Sequence, residues 1–361
     1  MAPRRRKRLD PASFNLPVER LKLGQSTDWG AARVREILLA TSTATGTATG
    51  TTTGTTTRVT TQITSERAAI LSGTDEAIAL LKLCNEDWAA LTVYSMYDGD
   101  RVEAGETVMT IEGPYDRFAH LEPLVLGTLA RRTRVSTNAR AFVDAARPKS
   151  VMAFPARHDH WLTNAGDVVA AQIGGVLPIS SSDQATLALV THAMIGAFGG
   201  DTLRAARAVV DHIGSEVQII VPVDHENDAV RTALDVARAI EAGRLWGVQL
   251  ATSEHLVDAS IIPAMGMFTP TGVNPHLVWN VRNALDAEGL GHIKILASSG
   301  FTLERIRQFE DEGVPVDAYG IGAALLAGRT GFTAAIVASD QPLRLRAGTE
   351  PRPNARLEKV K

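Results

Sequence analysis

A single cysteine, Cys84, is present in 361 residues. Intramolecular disulfides and cysteine-built zinc clusters are thereby excluded, and a reducing, cytoplasmic setting fits best. No window approaches the ~18 uninterrupted apolar residues of a membrane span. The basic start, MAPRRRKRLD, has no apolar run behind it, so it does not read as a secretory signal. Net positive charge is lacking too. The balance is −3, and it would be more negative without Arg4, Arg5, Arg6, Lys7 and Arg8. A mildly acidic body argues against a nucleic-acid partner. Residues 1–20 read as a disordered, solvated basic tail.

What is present is ample apolar material. At 45% hydrophobic residues, the chain can build one large core or two ordinary ones. One segment contributes nothing to a core: TSTATGTATGTTTGTTT, residues 41–57, holds threonine, glycine and alanine with one serine and no charge or bulky apolar residue. It cannot bury enough surface to offset its ordering entropy and reads as a flexible loop. LTVYSMY, the turn Asp98-Gly99-Asp100 and ETVMTIEG read as a small β-rich layer. Leu121, Leu124, Val125 and Leu129 then recur near helical spacing.

The second half alternates. VQIIVPV, LWGVQL, HIKILA and AYGIGAAL are short apolar runs of the kind buried in parallel sheets. Helical patterns separate them. Asp228 is placed to cap the first of these, and Gly243 suits its end. An open doubly wound sheet and a barrel both satisfy the alternation. Strands ending in small or charged residues and the glycine-rich last turns favour a barrel.

Chemistry-bearing residues follow these strands. Ser298-Ser299-Gly300 and Gly320-Ile321-Gly322 are small-residue turns that let backbone N–H groups approach an anion; the bland alternative is ordinary turn glycine. FPARHDHW packs Arg157, His158, Asp159 and His160 together. Arginine suits bidentate contact with phosphate or carboxylate. The two histidines share a face if the segment is extended, which leaves a metal site open against a surface loop of mixed charge. His192 sits in an apolar setting, either as a core residue or as a catalyst. Asp224 ends the strand VQIIVPV, where a barrel faces its site, and a carboxylate there can hold Mg²⁺ or sugar hydroxyls.

In this order the segments resemble those of nicotinate phosphoribosyltransferases, type II phosphoribosyltransferases related to quinolinate phosphoribosyltransferase. EGPYDRFAHLEPLVLGTLARRTRVSTNAR is similar to the segment joining their two domains. FPARHDHW looks like their F-x-x-R-x-x-H, and THAMIGAF resembles the segment around a histidine that can be phosphorylated. VPVDHENDAVRTALDVA resembles V-D-x-x-x-(D/E). KILASSGFTLERIRQFEDEGVPVDAYGIGAAL is similar to the K-I-x-x-S-G-G and G-V-G turns. GQSTDWGAARVRE resembles an early T-D segment and adds Asp28. The match runs roughly from Ser72 to Ala338.

The resemblance implies an α/β protein with an irregular (β/α) barrel, residues 136–338, packed on an α/β sandwich domain, residues 21–135 with 339–361 returning. It implies a homodimer that joins nicotinate to phosphoribosyl pyrophosphate, giving nicotinate mononucleotide and pyrophosphate in NAD salvage, with ATP as co-substrate and Mg²⁺. His192 would accept phosphate and Asp224 would steady ribose or metal. Arg157, His160 and Asp28 would meet substrate. Ser298, Ser299, Gly300, Gly320 and Gly322 would hold the 5′-phosphate.

The departures cluster at the site. An R-L-D segment reads Gln249-Leu250-Ala251 here, and S-G-G reads Ser298-Ser299-Gly300. Ala323 stands where a hydroxyl is common, and Gly30 where an aromatic is expected. The stretch before His192 is shorter than usual. A non-catalytic relative that binds phosphosugars or nucleotides, or regulates, is therefore the alternative. A barrel aldolase using Lys294 as a Schiff base rests on the alternation alone.

Overall fold

The computed structural model describes residues 7–44, 57–85, 87–154, 157–178, 186–266 and 268–361. Internal contacts divide the chain into two units, Met1–Thr137 with Gly328–Lys361, and Asn138–Ala327.

The first unit opens with α1 (Val18–Lys22), α2 (Trp29–Ala44), β1 (Arg58–Ser65), β2 (Ala69–Ile70) and α3 (Thr74–Leu83). It continues through β3 (Thr92–Ser95), β4 (Arg101–Val102) and β5 (Thr107–Pro114) to α4 (Glu122–Ala146), whose residues from Asn138 on belong to the second unit. The second unit runs β6 (Ser150–Ala153), α5 (Trp161–Ile173), β7 (Leu177–Pro178), β8 (Leu187–Leu189), α6 (His192–Ala197) and α7 (Thr202–His212). Then follow β9 (Gln218–Pro222), α8 (Ala229–Ala239), β10 (Leu245–Leu250), α9 (Pro275–Ala287), β11 (Lys294–Ala297), α10 (Leu303–Asp311) and β12 (Ala318–Ile321). Strands β13 (Phe332–Ser339) and β14 (Glu358–Lys359) rejoin the first unit.

The sheet of the first unit is antiparallel, in the order β13-β1-β5-β3-β14. Val59, Ile63, Val93, Met109 and Ile111 are buried on it, and α3 adds Ile78, Leu80 and Leu81 to the same core. β-branched and large apolar side chains fill a half-buried pleated surface well. Pairing of β13 along β1, from Ser65↔Phe332 to Val59↔Ser339, corrects the expected boundary. The return to this unit begins at Gly328, not at residue 339.

The basic tail is also corrected, from Arg8 onward. The Arg8 guanidinium donates to Asp75 Oδ1 at 2.9 Å and to the carbonyls of Ser95 and Met96, and it lies over the Tyr97 ring at 4.1 Å. Such fork geometry ties the chain down where a solvated tail was expected. Residues 1–6 lie outside the described residues. Of the threonine-rich segment, residues 41–44 end α2 and residues 45–56 lie outside the described residues.

In the second unit the sheet is parallel throughout, in the order β7-β6-β12-β11-β10-β9-β8. This is barrel order with one seam left open between β7 and β8 among the described residues. A doubly wound sheet would instead reverse direction from its first strand. The result is a curled half-barrel. Met152, Ile220, Leu296 and Ala318, one from each of four strands, pack together inside it. Asp201, Asp228, Asn274 and Thr302 each cap a helix by accepting a backbone N–H. Lys294 lies at the entry of β11 and pairs with Asp317 at 3.1 Å. That is the opposite end of the strand from Ser298, so neither a Schiff-base nor a phosphate role suits it. No helix among the described residues is long and apolar enough to cross a membrane.

Candidate functional site

Strands β6, β8, β10, β11 and β12 end around one cleft of ≈ 510 Å³, lined entirely by residues of the second unit. The first fixed element is a pair. Register places Leu189 beside Ile220, and Val190 N–H donates to the Ile220 carbonyl at 2.9 Å. The chains leaving β8 and β9 therefore emerge side by side. His192 Nε2 lies 3.0 Å from both Oδ1 and Oδ2 of Asp224. Thr191 fixes the approach by capping α6, its hydroxyl accepting from Met194 N–H at 3.2 Å. Hydrogen bonding to Asp224 holds the His192 pKa above its ordinary value, while burial and the charge of Arg157 pull the other way. The His192 side chain is 43% exposed and Asp224 only 11%, so the imidazole faces the cleft and the carboxylate stands behind it.

Across the cleft, Ser298 ends β11 and the chain turns sharply. Ser299 and Gly300 both have φ of 69°. Phe301 and Thr302 follow on the cleft wall, and the Thr302 hydroxyl caps α10 by accepting from Arg305 N–H at 3.3 Å. A helix N-terminus opening on a cleft favours an anion there. At β12 the chain passes too close for side chains. A Cβ on Gly320 would meet Phe154 Cε2 at 2.5 Å and Ser298 Cβ at 2.9 Å, and one on Gly322 would collide with the His158 ring.

Arg157 lines the cleft and makes no ion pair among the described residues. None of the described lining residues is acidic. With Arg157, the His192 imidazole and the α10 terminus on its walls, the cleft attracts anions.

The structure brings together Arg157, His192, Ser298, Ser299, Gly300, Gly320 and Gly322, with Asp224 behind His192. It does not bring His160 there. His160 caps α5, its Nδ1 accepting from Leu162 N–H at 3.3 Å, and its ring stacks on Trp161. Asp28 belongs to the first unit and accepts from Ala31 N–H at 2.7 Å. His158 takes the place expected for His160. Residues 157–159 form a helical turn and bends rather than extended chain, so the alternation that pairs residues 158 and 160 does not apply. Sequence reasoning also missed Asp258, fully buried, whose carboxylate accepts from Ala229 and Ser260 N–H groups at 2.9 Å. Only its position before a short helical turn hinted at it.

No group of three His, Cys, Asp or Glu side chains able to hold a metal occurs among the described residues. The described residues form no protein cage for Mg²⁺, an ion that is usually held by one or two carboxylates together with substrate phosphates.

Residues 41–133 match the family model described as the quinolinate phosphoribosyl transferase N-terminal domain. No curated protein matches the sequence. Among solved structures, nicotinate-nucleotide pyrophosphorylase from Pyrococcus furiosus is similar, with 25% identity over 96% of this chain and 85% of that one, at a TM-score of 0.74. Nicotinate-nucleotide pyrophosphorylase from Francisella tularensis shares the fold at 14% identity, covering 85% and 97% of the two chains, TM-score 0.59. Human nicotinic acid phosphoribosyltransferase does so at 14% identity, covering 90% and 76%, TM-score 0.59. The chain is thus similar in fold to these pyridine phosphoribosyltransferases, and its residues 41–133 are similar to the N-terminal domain of quinolinate phosphoribosyl transferase.

Proposed function

We propose that the protein is a phosphoribosyltransferase of NAD biosynthesis that joins a pyridine carboxylate to phosphoribosyl pyrophosphate. In the finer form of this reading the acceptor is nicotinate, the products are nicotinate mononucleotide and pyrophosphate, and ATP is co-substrate. The observation that carries it is His192, backed by Asp224, on the wall of a cleft whose described lining holds no acidic residue. Departure of pyrophosphate leaves a cation-like ribose and builds charge on the leaving oxygens. Preorganised positive groups lower that barrier. Arg157 is placed to hold phosphate or the acceptor carboxylate, and the turns at Ser298–Gly300 and Gly320–Gly322 to receive the 5′-phosphate. Mg²⁺ would arrive with the phosphates.

With Asp224 accepting from Nε2–H, Nδ1 of neutral His192 keeps its lone pair. That nitrogen can attack the γ-phosphorus of ATP, forming an N–P bond while the bond to the β-phosphate oxygen breaks and ADP leaves. A homodimer belongs to the same reading and is checked by sedimentation. The test of activity is a product assay with Mg²⁺, phosphoribosyl pyrophosphate and nicotinate, nicotinamide or quinolinate, each with and without ATP. ATP-stimulated nicotinate mononucleotide, lost in His192→Ala, supports the finer form. Quinolinate consumed without ATP keeps the transferase and discards the ATP step.

Gln249 and Ala251 favour a second reading, a catalytically impaired relative that binds phosphosugars or nucleotides. Ala251 brings only a methyl group to the cleft. Tight phosphoribosyl pyrophosphate binding with no product from any base would establish it.

A further inference from the structure

Gln249 near the end of β10 and Ser298 just past β11 are both buried, 7% and 5% exposed, and both line the cleft. Gln249 Nε2 donates to Ser298 Oγ at 2.9 Å, and Ser298 Oγ donates to the Leu250 carbonyl at 3.2 Å. A serine hydroxyl has one proton to give. With that proton committed to Leu250, Oγ can only accept from Gln249. The amide is thus held with nitrogen toward Ser298, and its oxygen Oε1 has no partner among the described residues. A relay of two bonds, ending on the Leu250 backbone carbonyl, fixes the orientation of a neutral acceptor inside a cleft whose other polar groups favour anions.

We infer that Gln249 is a specificity-determining residue: its Oε1 accepts a hydrogen bond from an uncharged N–H or O–H donor of the bound ligand. A carboxylate or phosphate oxygen placed there would set acceptor against acceptor, leaving both unsatisfied. Ala251, two residues on, offers no polar atom of its own side chain. The inference rests on the phosphoribosyl-transfer reading of the cleft, in which two sources supply such a donor: a ribose hydroxyl, or the carboxamide of a pyridine base.

Two variants test it, Q249L, which removes the acceptor, and Q249N, which keeps a neutral amide on a shorter side chain, with thermal melts confirming that each folds. Calorimetry measures phosphoribosyl pyrophosphate binding, and kcat/KM is measured with nicotinate and with nicotinamide. If the donor is a ribose hydroxyl, Q249L weakens phosphoribosyl pyrophosphate about tenfold, the usual worth of one net hydrogen bond. Both bases then suffer equally. If the donor is a carboxamide, phosphoribosyl pyrophosphate binding holds and kcat/KM falls about tenfold for nicotinamide alone. In either case Q249N loses less than Q249L. Wild-type behaviour of Q249L, or Q249N as impaired as Q249L, overturns the inference while leaving the transferase reading intact. Mononucleotide absent from wild-type reactions, with phosphoribosyl pyrophosphate binding still weakened by Q249L, sinks the transferase reading and keeps the acceptor role. Wild-type protein that binds no phosphoribosyl pyrophosphate overturns both.

Discussion

Asp224 presents both carboxylate oxygens to Nε2 of His192 at 3.0 Å. This bond is the main reason the His192 pKa is raised. A raised pKa in the folded state means the pair adds stability while the histidine is protonated, below its ordinary ~6.5. That contribution is lost as pH climbs through the folded value. Asp224→Asn should therefore shift the imidazole NMR titration to lower pH. The stability gap to wild type should narrow as pH rises. An unmoved titration would mean that Asp224 does not set the protonation of His192.

Arg157 is a cation on the cleft wall without an ion pair among the described residues. Arg157→Ala should weaken pyrophosphate or phosphoribosyl pyrophosphate by about 10–100-fold, the scale of one or two charge-assisted hydrogen bonds. Arg157→Lys should recover only part, because it gives up the bidentate fork. Calorimetry at two salt concentrations checks both. Equal affinities for the three proteins would remove Arg157 from the site.

In the first unit, Asp98 accepts from Thr74 N–H and hydroxyl at 2.7 and 2.8 Å, yet burial pushes its pKa up to about 6. The sign is set by the unfolded value near 3.9. The native state favours the neutral acid, so the relative benefit present below pH ~4 is lost between there and pH ~6. Asp98→Asn keeps an acceptor oxygen for Thr74 without the buried charge. Its stability relative to wild type should improve between pH 4 and pH 7, by up to about 3 kcal/mol at ~1.36 kcal/mol per pKa unit. Urea unfolding at the two pH values decides it, and identical differences at both would refute the charge argument.

Gly320→Ala and Ser299→Gly should move stability in opposite directions. The first forces a methyl against Phe154 and Ser298 and should cost about 1–3 kcal/mol. The second relieves a non-glycine residue at φ 69° but gives the unfolded chain more freedom, for a net gain below about 1 kcal/mol. Thermal melts read both. A neutral Gly320→Ala would mean that the Phe154 ring yields freely.

The half-barrel was legible because its strands are short apolar runs with capped helices between them. LWGVQL coincides with β10, and Asp228 caps α8 by accepting from Arg231 N–H. Ser298–Gly300, Gly320 and Gly322 could be placed because a parallel βα unit puts the loop after each strand on the functional face. The segment around residue 158 was not legible in the same way. Alternation predicts a face only for extended chain, and here the backbone bends and hands the cleft to His158. Arg8 was misjudged because its partners lie some seventy to ninety residues away, and no local pattern announces them. The amide of Gln249 reads in sequence only as a missing charge. Its fixed orientation exists only once β10 and β11 lie side by side.

The antiparallel sheet has early strands at its centre and late strands at its rims. β1, β5 and β3 are all made before residue 115, while both flanking strands, β13 and β14, come after residue 331. On a ribosome adding ~5–20 residues per second, the nascent three-stranded core waits roughly 10–40 s for its first border. During that interval two rows of backbone N–H and C=O groups are open to any passing strand. The intervening half-barrel can fold while the wait lasts, so synthesis order makes the first part to emerge the last to be sealed.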